Sequence, residues 1–217
     1  MIFNIYKPKG CTSFDVVKRV RAIIKDKKVG HAGTLDPFAE GVLVLGTGLD
    51  TKQLTKISGS DKEYEATLML GAKTDTLDLE GSVIEKKEIP QFETEKVDAV
   101  LKSFVGKQLQ TPPMYSAKKV NGQRLYKLAR KNVEVEREPR AINIFEIELN
   151  EYNSPLLSFR VKCSKGTYIR VLGSDIAEKF GTVGHLISLK RIKVGDYALN
   201  ETIRISELEE NGRFNTT

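Results

Sequence analysis

The sequence predicts a single α+β domain over residues 1–217. Three observations lead to that class. Apolar residues recur at helical spacing in some segments and alternate in others, and the two kinds of segment are interleaved along the chain. No internal repeat, low-complexity tract or long linker divides the 217 residues, a length suited to one sizeable domain. Apolar residues make up 40% of the chain, enough for a core, yet no stretch approaches the roughly 18 consecutive apolar residues of a membrane span.

Each element can be justified in order. Ile2–Tyr6 reads as a short strand. Thr12 with Asp15 forms a capping-box pattern, followed by Phe14, Val17, Val20, Ile23 and Ile24 at helical spacing. The opposite face of that helix carries Lys18, Arg19, Arg21 and Lys25, with Lys27 and Lys28 beyond; such a face is either solvated or in contact with phosphates. Val42–Leu45 reads as a buried strand, and Thr51–Ile57 as a short helix carrying Lys52 and ended by Gly59. In Tyr64–Leu70, residues Tyr64, Ala66, Leu68 and Leu70 share one side of a strand. Gly71–Gly81 is a polar, turn-rich connection to a strand beginning at Ser82–Ile84. Val97, Val100, Leu101 and Phe104 mark a second helix closed by Gly106. Ala141–Glu151 and Leu156–Cys163 are strands around an Asn153–Pro155 turn. Gly166 precedes a helix from about Tyr168 to Phe180, stopped by Gly181. Leu186–Val194 is one more apolar segment, and a short acidic helix from Ile203 leads into a frayed end.

Chemistry concentrates in Gly30–Leu43, GHAGTLDPFAEGVL. Gly30 and Gly33 permit close backbone approaches. Pro37 fixes its own φ and turns Asp36 away from helical angles, so a carboxylate is presented on a turn before an apolar strand. The competing local reading makes Asp36 the N-cap and Pro37 the first residue of a helix, although Gly41 leaves little room for one. His31 on its own reads more often as a hydrogen-bonded structural histidine than as a reactive one.

Lys118, Lys119, Arg124, Lys127, Arg130, Lys131, Arg137 and Arg140 make the most cationic region, with Tyr115 and Tyr126 among them and an Asn121–Gly122 turn signal. Rings that stack on bases beside cations that track phosphates suit RNA; a charged surface loop is the bland alternative. Thirty-five basic against 29 acidic residues give a net charge of +6, which fits a polyanionic partner. Only two histidines and two distant cysteines, Cys11 and Cys163, are present; they form no ligand-spaced pair and no disulfide framework. The glycines form neither a phosphate loop nor a dinucleotide fingerprint, and no serine sits in a nucleophile elbow. A site without metal or cofactor is expected. The amino terminus lacks a secretory leader pattern, so a cytoplasmic location is expected.

GHAGTLDPFAEGVL resembles the catalytic motif of the TruB family of tRNA pseudouridine synthases. The likeness continues in the same order through KPKGCTS (Lys7–Ser13), SDKEY (Ser60–Tyr64), GAKTDTLDLEG (Gly71–Gly81), PPMYSAKKVNGQRLYKLAR (Pro112–Arg130), CSKGTYIR (Cys163–Arg170) and HLISLKRIKVG (His185–Gly195). The resemblance implies the pseudouridine synthase fold, a mixed, mainly antiparallel sheet flanked by helices with a central active-site cleft. It implies conversion of uridine 55 in the tRNA T loop to pseudouridine, by cleavage of the C1′–N1 bond, rotation of the flipped base and reattachment through C5. It implies Asp36 as the catalytic aspartate, Arg170 as its ionic partner, and Tyr64 as the residue that stacks on the base and can remove the last proton. Without the resemblance, Arg170 reads as a surface ion pair and Tyr64 as a packing residue. His31, Tyr168 and Leu189 match positions around the flipped nucleotide, and Lys52 and Lys119 are candidates for RNA backbone contacts. Residues from about 108 to 140 match an RNA-gripping insertion.

Many members carry a carboxy-terminal PUA module, for which the 22 residues after Gly195 are too few; weaker and more salt-sensitive tRNA binding is expected. A monomer without an obligate protein partner is the default expectation. The alternatives are a noncatalytic RNA-binding or tRNA-folding protein on the same fold and, more remotely, a metal-free hydrolase using Asp36 and His31.

Overall fold

The computed structural model describes residues 1–120, 122–131 and 133–213. Asn121, half of the predicted Asn121–Gly122 turn, and the frayed end expected after Arg213 lie outside the described residues. In chain order the elements are β1 (Ile2–Lys7), α1 (Ser13–Ile24), β2 (Val29–His31), β3 (Glu40–Thr47), a 3₁₀ turn (Gly48–Gln53) and α2 (Leu54–Ser58). Next come β4 (Lys62–Leu70), β5 (Ala72–Thr74), β6 (Val83–Lys86), α3 (Thr94–Lys102), β7 (Gly106–Gln110), β8 (Lys119–Val120), β9 (Gln123–Arg124) and α4 (Leu125–Ala129). The chain finishes with β10 (Arg140–Asn153), β11 (Leu156–Cys163), α5 (Ile169–Lys179), β12 (Gly184–Val194), β13 (Tyr197–Ala198), a 3₁₀ turn (Leu199–Glu201) and α6 (Ile205–Arg213). The class is α+β, with antiparallel strand pairs predominating and β3 pairing parallel with β12. Among the described residues no helix is long and apolar enough to cross a membrane.

Contacts divide the chain into two compact units, Met1–Tyr64 with Leu189–Thr217, and Glu65–Ser188. In the first, β3 is the central strand. It pairs antiparallel with β1, from Ile2↔Gly46 to Lys7↔Gly41, and parallel with β12 at Lys190↔Glu40 and Arg191↔Gly41. Leu43 and Leu45 pack with Ile5 and with Val16, Val17 and Val20 of α1. Val42 and Val44 face the other way, into Ala32, Leu54, Ile57 and Val194. A strand covered on both faces has no solvent side to keep polar, so its sequence is an unbroken apolar run rather than an alternation. The capping box that starts α1 is formed: Asp15 N–H donates to Thr12 Oγ1 at 3.1 Å, and Thr12 N–H donates to the Asp15 carboxylate at 3.1 Å.

The second unit contains strands in the order β4, β11, β10, β7. Leu157, Phe159, Val161 and Cys163 of β11 alternate inward; Ile169, Leu172 and Ile176 of α5 and Val97 and Leu101 of α3 are buried as well. Helix α3 stops at Lys102, short of the predicted Phe104, because Phe104 and Val105 turn back in tight bonds to Leu101 O and Lys102 O. The Gly71–Gly81 connection is more regular than the sequence suggests, since Ala72–Thr74 pairs with β6. The register Arg140↔Gln110 closes residues 111–139 into an excursion between paired strand ends, close to the 108–140 insertion expected.

Gly41 shows how tightly the first unit is built. Its φ is +107°, and a Cβ there would strike the Arg191 backbone carbonyl. Gly41→Ala is expected to lower stability by about 2 kcal/mol or more, from left-handed strain plus forced strand separation, as a reduced urea midpoint. In the second unit, burial first and then the neighbouring Glu178 raise the Asp175 carboxyl to about 6. A raised carboxyl pKa in the folded state means stability that is full below the unfolded value, near 4, and lost as pH rises through about 6. Asp175→Asn is expected to flatten the stability profile between those limits and to raise the melting temperature at pH 7.

Candidate active site

Asp36 lies on a turn and caps no helix. Residues 36–39 close a β-turn in which Ala39 N–H donates to Asp36 O at 3.1 Å, with Pro37 at the position where its fixed φ is favourable. The strand β3 starts at Glu40, so the N-cap reading fails for want of room: β3 claims the residues a helix would need. The carboxylate is half-buried.

The turn is held through its backbone. Lys7, fully buried at the end of β1, donates from Nζ to Ala39 O at 2.6 Å, Pro8 O at 2.9 Å and Pro37 O at 3.4 Å. Gly10 N–H reaches Pro37 O at 2.8 Å. The Ser13 hydroxyl, at the start of α1, accepts from Leu35 N–H at 2.8 Å and donates to Leu35 O at 3.0 Å. On the other flank Arg191, 1% exposed on β12, donates from Nε to Val42 O at 2.8 Å, from Nη2 to Gly33 O at 3.2 Å and from Nη1 to Thr34 O at 3.4 Å. Burial pushes the Arg191 guanidinium pKa down, while the Tyr64 hydroxyl hydrogen-bonded to it and the Asp36 carboxylate beside it push it back up. The strand partner of this region carries its own polar cluster: the Tyr6 hydroxyl donates to Glu40 at 2.6 Å, and Lys190 pairs with Glu40 at 3.6 Å.

Of the predicted site residues, His31, Asp36, Lys52, Tyr64 and Leu189 belong to the first unit. Tyr64 is 9% exposed on β4 and Leu189 5% exposed on β12, two residues before Arg191. His31 pairs with Leu45 at the end of β2, and Lys52 is exposed on the 3₁₀ turn. Tyr64 and Asp36 both favour the charged form of Arg191.

Lys119, Tyr168 and Arg170 belong to the second unit. Arg170 is no surface residue: it is 4% exposed, donates to Thr76 O and, at 2.7 Å, to Tyr115 O, and forms an ion pair with the equally buried Asp78 at 3.3 Å. Tyr168 precedes α5, and its peptide is gripped on both sides by the Gln110 amide, which accepts from Tyr168 N–H at 2.8 Å and donates to Tyr168 O at 3.1 Å. Lys119 pairs with Arg124 in the short β8–β9 hairpin. In the same excursion Arg130 lies over the Tyr126 ring, 5.7 Å from its centroid. Gly122, Gln123, Arg124, Lys127 and Lys131 line a basic depression there.

Sequence reasoning missed Lys7, Asp78, Gln110 and Arg191. Lys7 and Asp78 sit in recognisable blocks, and Arg191 occupies the inward slot shared with Leu189, where an apolar residue is the default. Gln110 carries no sequence signal. Among the described residues no cluster of three His, Cys, Asp or Glu could hold a metal ion.

A family model described as TruB family pseudouridylate synthase (N terminal domain) matches residues 21–169. The chain belongs to that family. This TruB-family chain is 47% identical to the tRNA pseudouridine synthase B of Clostridium tetani, over 96% of this chain and 72% of that one. It is 46% identical to the protein of the same name from Psychrobacter cryohalolentis, over 96% of this chain and 59% of that one. Among solved structures, a chain of a Cbf5–Nop10–Gar1 complex matches with a TM-score of 0.78 and 28% identity, over 98% of this chain and 54% of its own length. A chain of an H/ACA RNP bound to a substrate RNA containing 2′-deoxyuridine matches with a TM-score of 0.74 and 26% identity.

The clamp on the catalytic-motif turn of this TruB-family chain makes a direct prediction. Lys7→Met removes the donor from the buried Ala39 carbonyl and from the part-buried Pro8 and Pro37 carbonyls, at about 1–3 kcal/mol. The expected result is a lower urea midpoint together with faster proteolysis within residues 33–39.

Proposed function

We propose that this chain isomerises uridine 55 in the T loop of tRNA to pseudouridine. The observation that carries the reading is the 47% identity to a tRNA pseudouridine synthase B across 96% of the chain, with Asp36 on a backbone-clamped turn in the matching catalytic motif. The reaction breaks C1′–N1, turns the uracil and rejoins it through C5. It moves one bond and one proton with no net oxidation, so a carboxylate, a base and a closed pocket suffice.

In this reading Asp36 supplies the carboxylate during cleavage, with Arg170 as its ionic partner. The burial of Arg170, and the fixing of its guanidinium by Asp78, Thr76 O and Tyr115 O, support a role as a rigid charge. Tyr64 stacks on the everted base and takes the C5 proton; His31, Tyr168 and Leu189 surround the nucleotide. Lys52, Lys119 and the 111–139 excursion contact the RNA backbone, a role supported by Tyr126 lying between Arg124 and Arg130. Everting a stacked uridine costs a few kcal/mol, which those contacts offset. The chain acts in the cytoplasm, as a monomer on the T arm.

The noncatalytic alternative, RNA binding or tRNA folding, is favoured only by the basic excursion. Tritium release from tRNA transcripts carrying 5-³H-uridine separates the two. The wild type is expected to release tritium, and Asp36→Asn to lose about a thousandfold or more of that rate while keeping its affinity for tRNA. Binding without release by either protein would favour the noncatalytic reading.

A further inference from the structure

Lys190 and Glu40 are register partners where β12 runs parallel to β3. Successive side chains of a strand point to opposite faces, so Arg191 enters the interior of the first unit and Lys190 stays at its surface. Glu40 is the first residue of β3, directly after the turn that carries Asp36, and its side chain is 18% exposed. The Tyr6 hydroxyl on β1 donates to Glu40 Oε2 at 2.6 Å. Lys190 Nζ stands 3.6 Å from Glu40 Oε1, and Lys9 Nζ stands 4.0 Å from the same oxygen. Arg204 lies over the Tyr6 ring, 5.5 Å from its centroid, and adds a third cation.

The distances separate two kinds of contact. The phenol makes the short bond to the carboxylate. Burial first and then Glu40 raise the Tyr6 pKa to about 12, so the hydroxyl stays a donor throughout the neutral range. The two ammoniums stand beyond the roughly 2.7–3.2 Å of an N–H···O bond. Each carries three donors, and neither spends one on Glu40. A carboxylate that only needed neutralising would hold one cation at bonding distance. Glu40 acts instead as a spacer: both lysines face one oxygen, so their Nζ atoms are no further apart than the two distances laid end to end, a gap that one phosphate can bridge. Three cations around one carboxylate leave a positive surplus, and the Lys9 and Lys190 side chains are 50% and 35% exposed, open to a ligand from solvent.

We propose that Lys9, Lys190 and Arg204, spaced by the Tyr6–Glu40 pair, bind a backbone phosphodiester of the RNA substrate, with the two lysines sharing that one phosphate. Glu40 continues the chain from the Asp36 turn, so a phosphate held there ties the RNA backbone to the same rigid mount that presents the carboxylate. The site reads charge and no base edge, and so contributes affinity and placement, not sequence preference. It rests on the reading of the chain as an enzyme that modifies tRNA.

The test measures the dissociation constant of the full chain for an unmodified tRNA transcript across a series of potassium chloride concentrations. Lys9→Met/Lys190→Met is expected to weaken binding about tenfold at roughly 0.1 M salt and to lower the slope of log Kd against log salt by about one. Lys9→Arg/Lys190→Arg keeps both charges and is expected to keep the affinity and the slope. Single-turnover tritium release at saturating tRNA is expected to stay within about twofold of the wild type in the methionine pair, because the lysines touch no reacting atom. If the methionine pair does not fold, Lys9→Gln/Lys190→Gln takes its place. An unchanged affinity and slope in the folded pair overturns the proposal, as does an equal loss in the arginine pair. A fall of two in the slope would mean two separate phosphates and overturn the shared site. A wild type that binds tRNA with the expected salt dependence yet releases no tritium overturns the isomerase reading instead and leaves the phosphate site standing.

Discussion

The first unit depends on a guanidinium that lies out of reach of water. Arg191 sits on β12, where strand alternation calls for an apolar side chain, and its desolvation is offset by backbone carbonyls drawn from the segment that carries Asp36. An unpaired charge in that position would cost several kcal/mol, so the carbonyls are obligatory partners. The converse holds as well: a turn whose carbonyls are bound to a buried cation cannot drift without leaving that cation unsatisfied. Lys7 repeats the device on the other side of the turn. Two cations, both fixed by strands, thus convert a glycine-punctuated segment into a rigid mount for a carboxylate, and they contribute positive potential where that carboxylate stands.

The second unit uses the same chemistry for a different purpose. Arg170 joins the first turn of α5 to the Thr76–Asp78 turn and to Tyr115 at the root of the 111–139 excursion. Gln110, at the strand end where that excursion departs, holds the Tyr168 peptide on both faces. The root of the basic segment is therefore pinned to the start of α5, while its tip carries Tyr126 and the arginines beside it. Such a division, a rigid base with a cationic and aromatic tip, suits recognition of a folded RNA by shape and backbone rather than by base edges.

Most secondary structure was legible in the residues because it follows from neighbours. The Thr12–Asp15 box, the continuous apolar run of β3, the alternation of β4 and the Gly181 stop each report a rule that acts within a few positions. The same locality explains the two competing readings that failed. Asp36–Pro37 satisfies the local signature of a helix start, and only the claim of β3 on Glu40 and the residues after it rules that out. Arg170 satisfies the signature of an exposed helical charge, and only the packing of Asp78, Thr76 and Tyr115 around it makes it a buried one.

What the sequence determined by itself was the class of fold, the order of its main elements and, through seven ordered blocks, the family. Tertiary structure alone decided which cations are interior and what they grip. Arg191 meets Val42 O across 149 positions of the chain, and Lys7 meets Ala39 O across 32. No periodicity or propensity reaches that far, because burial of a charge is set by the groups that fold around it and not by its neighbours in sequence.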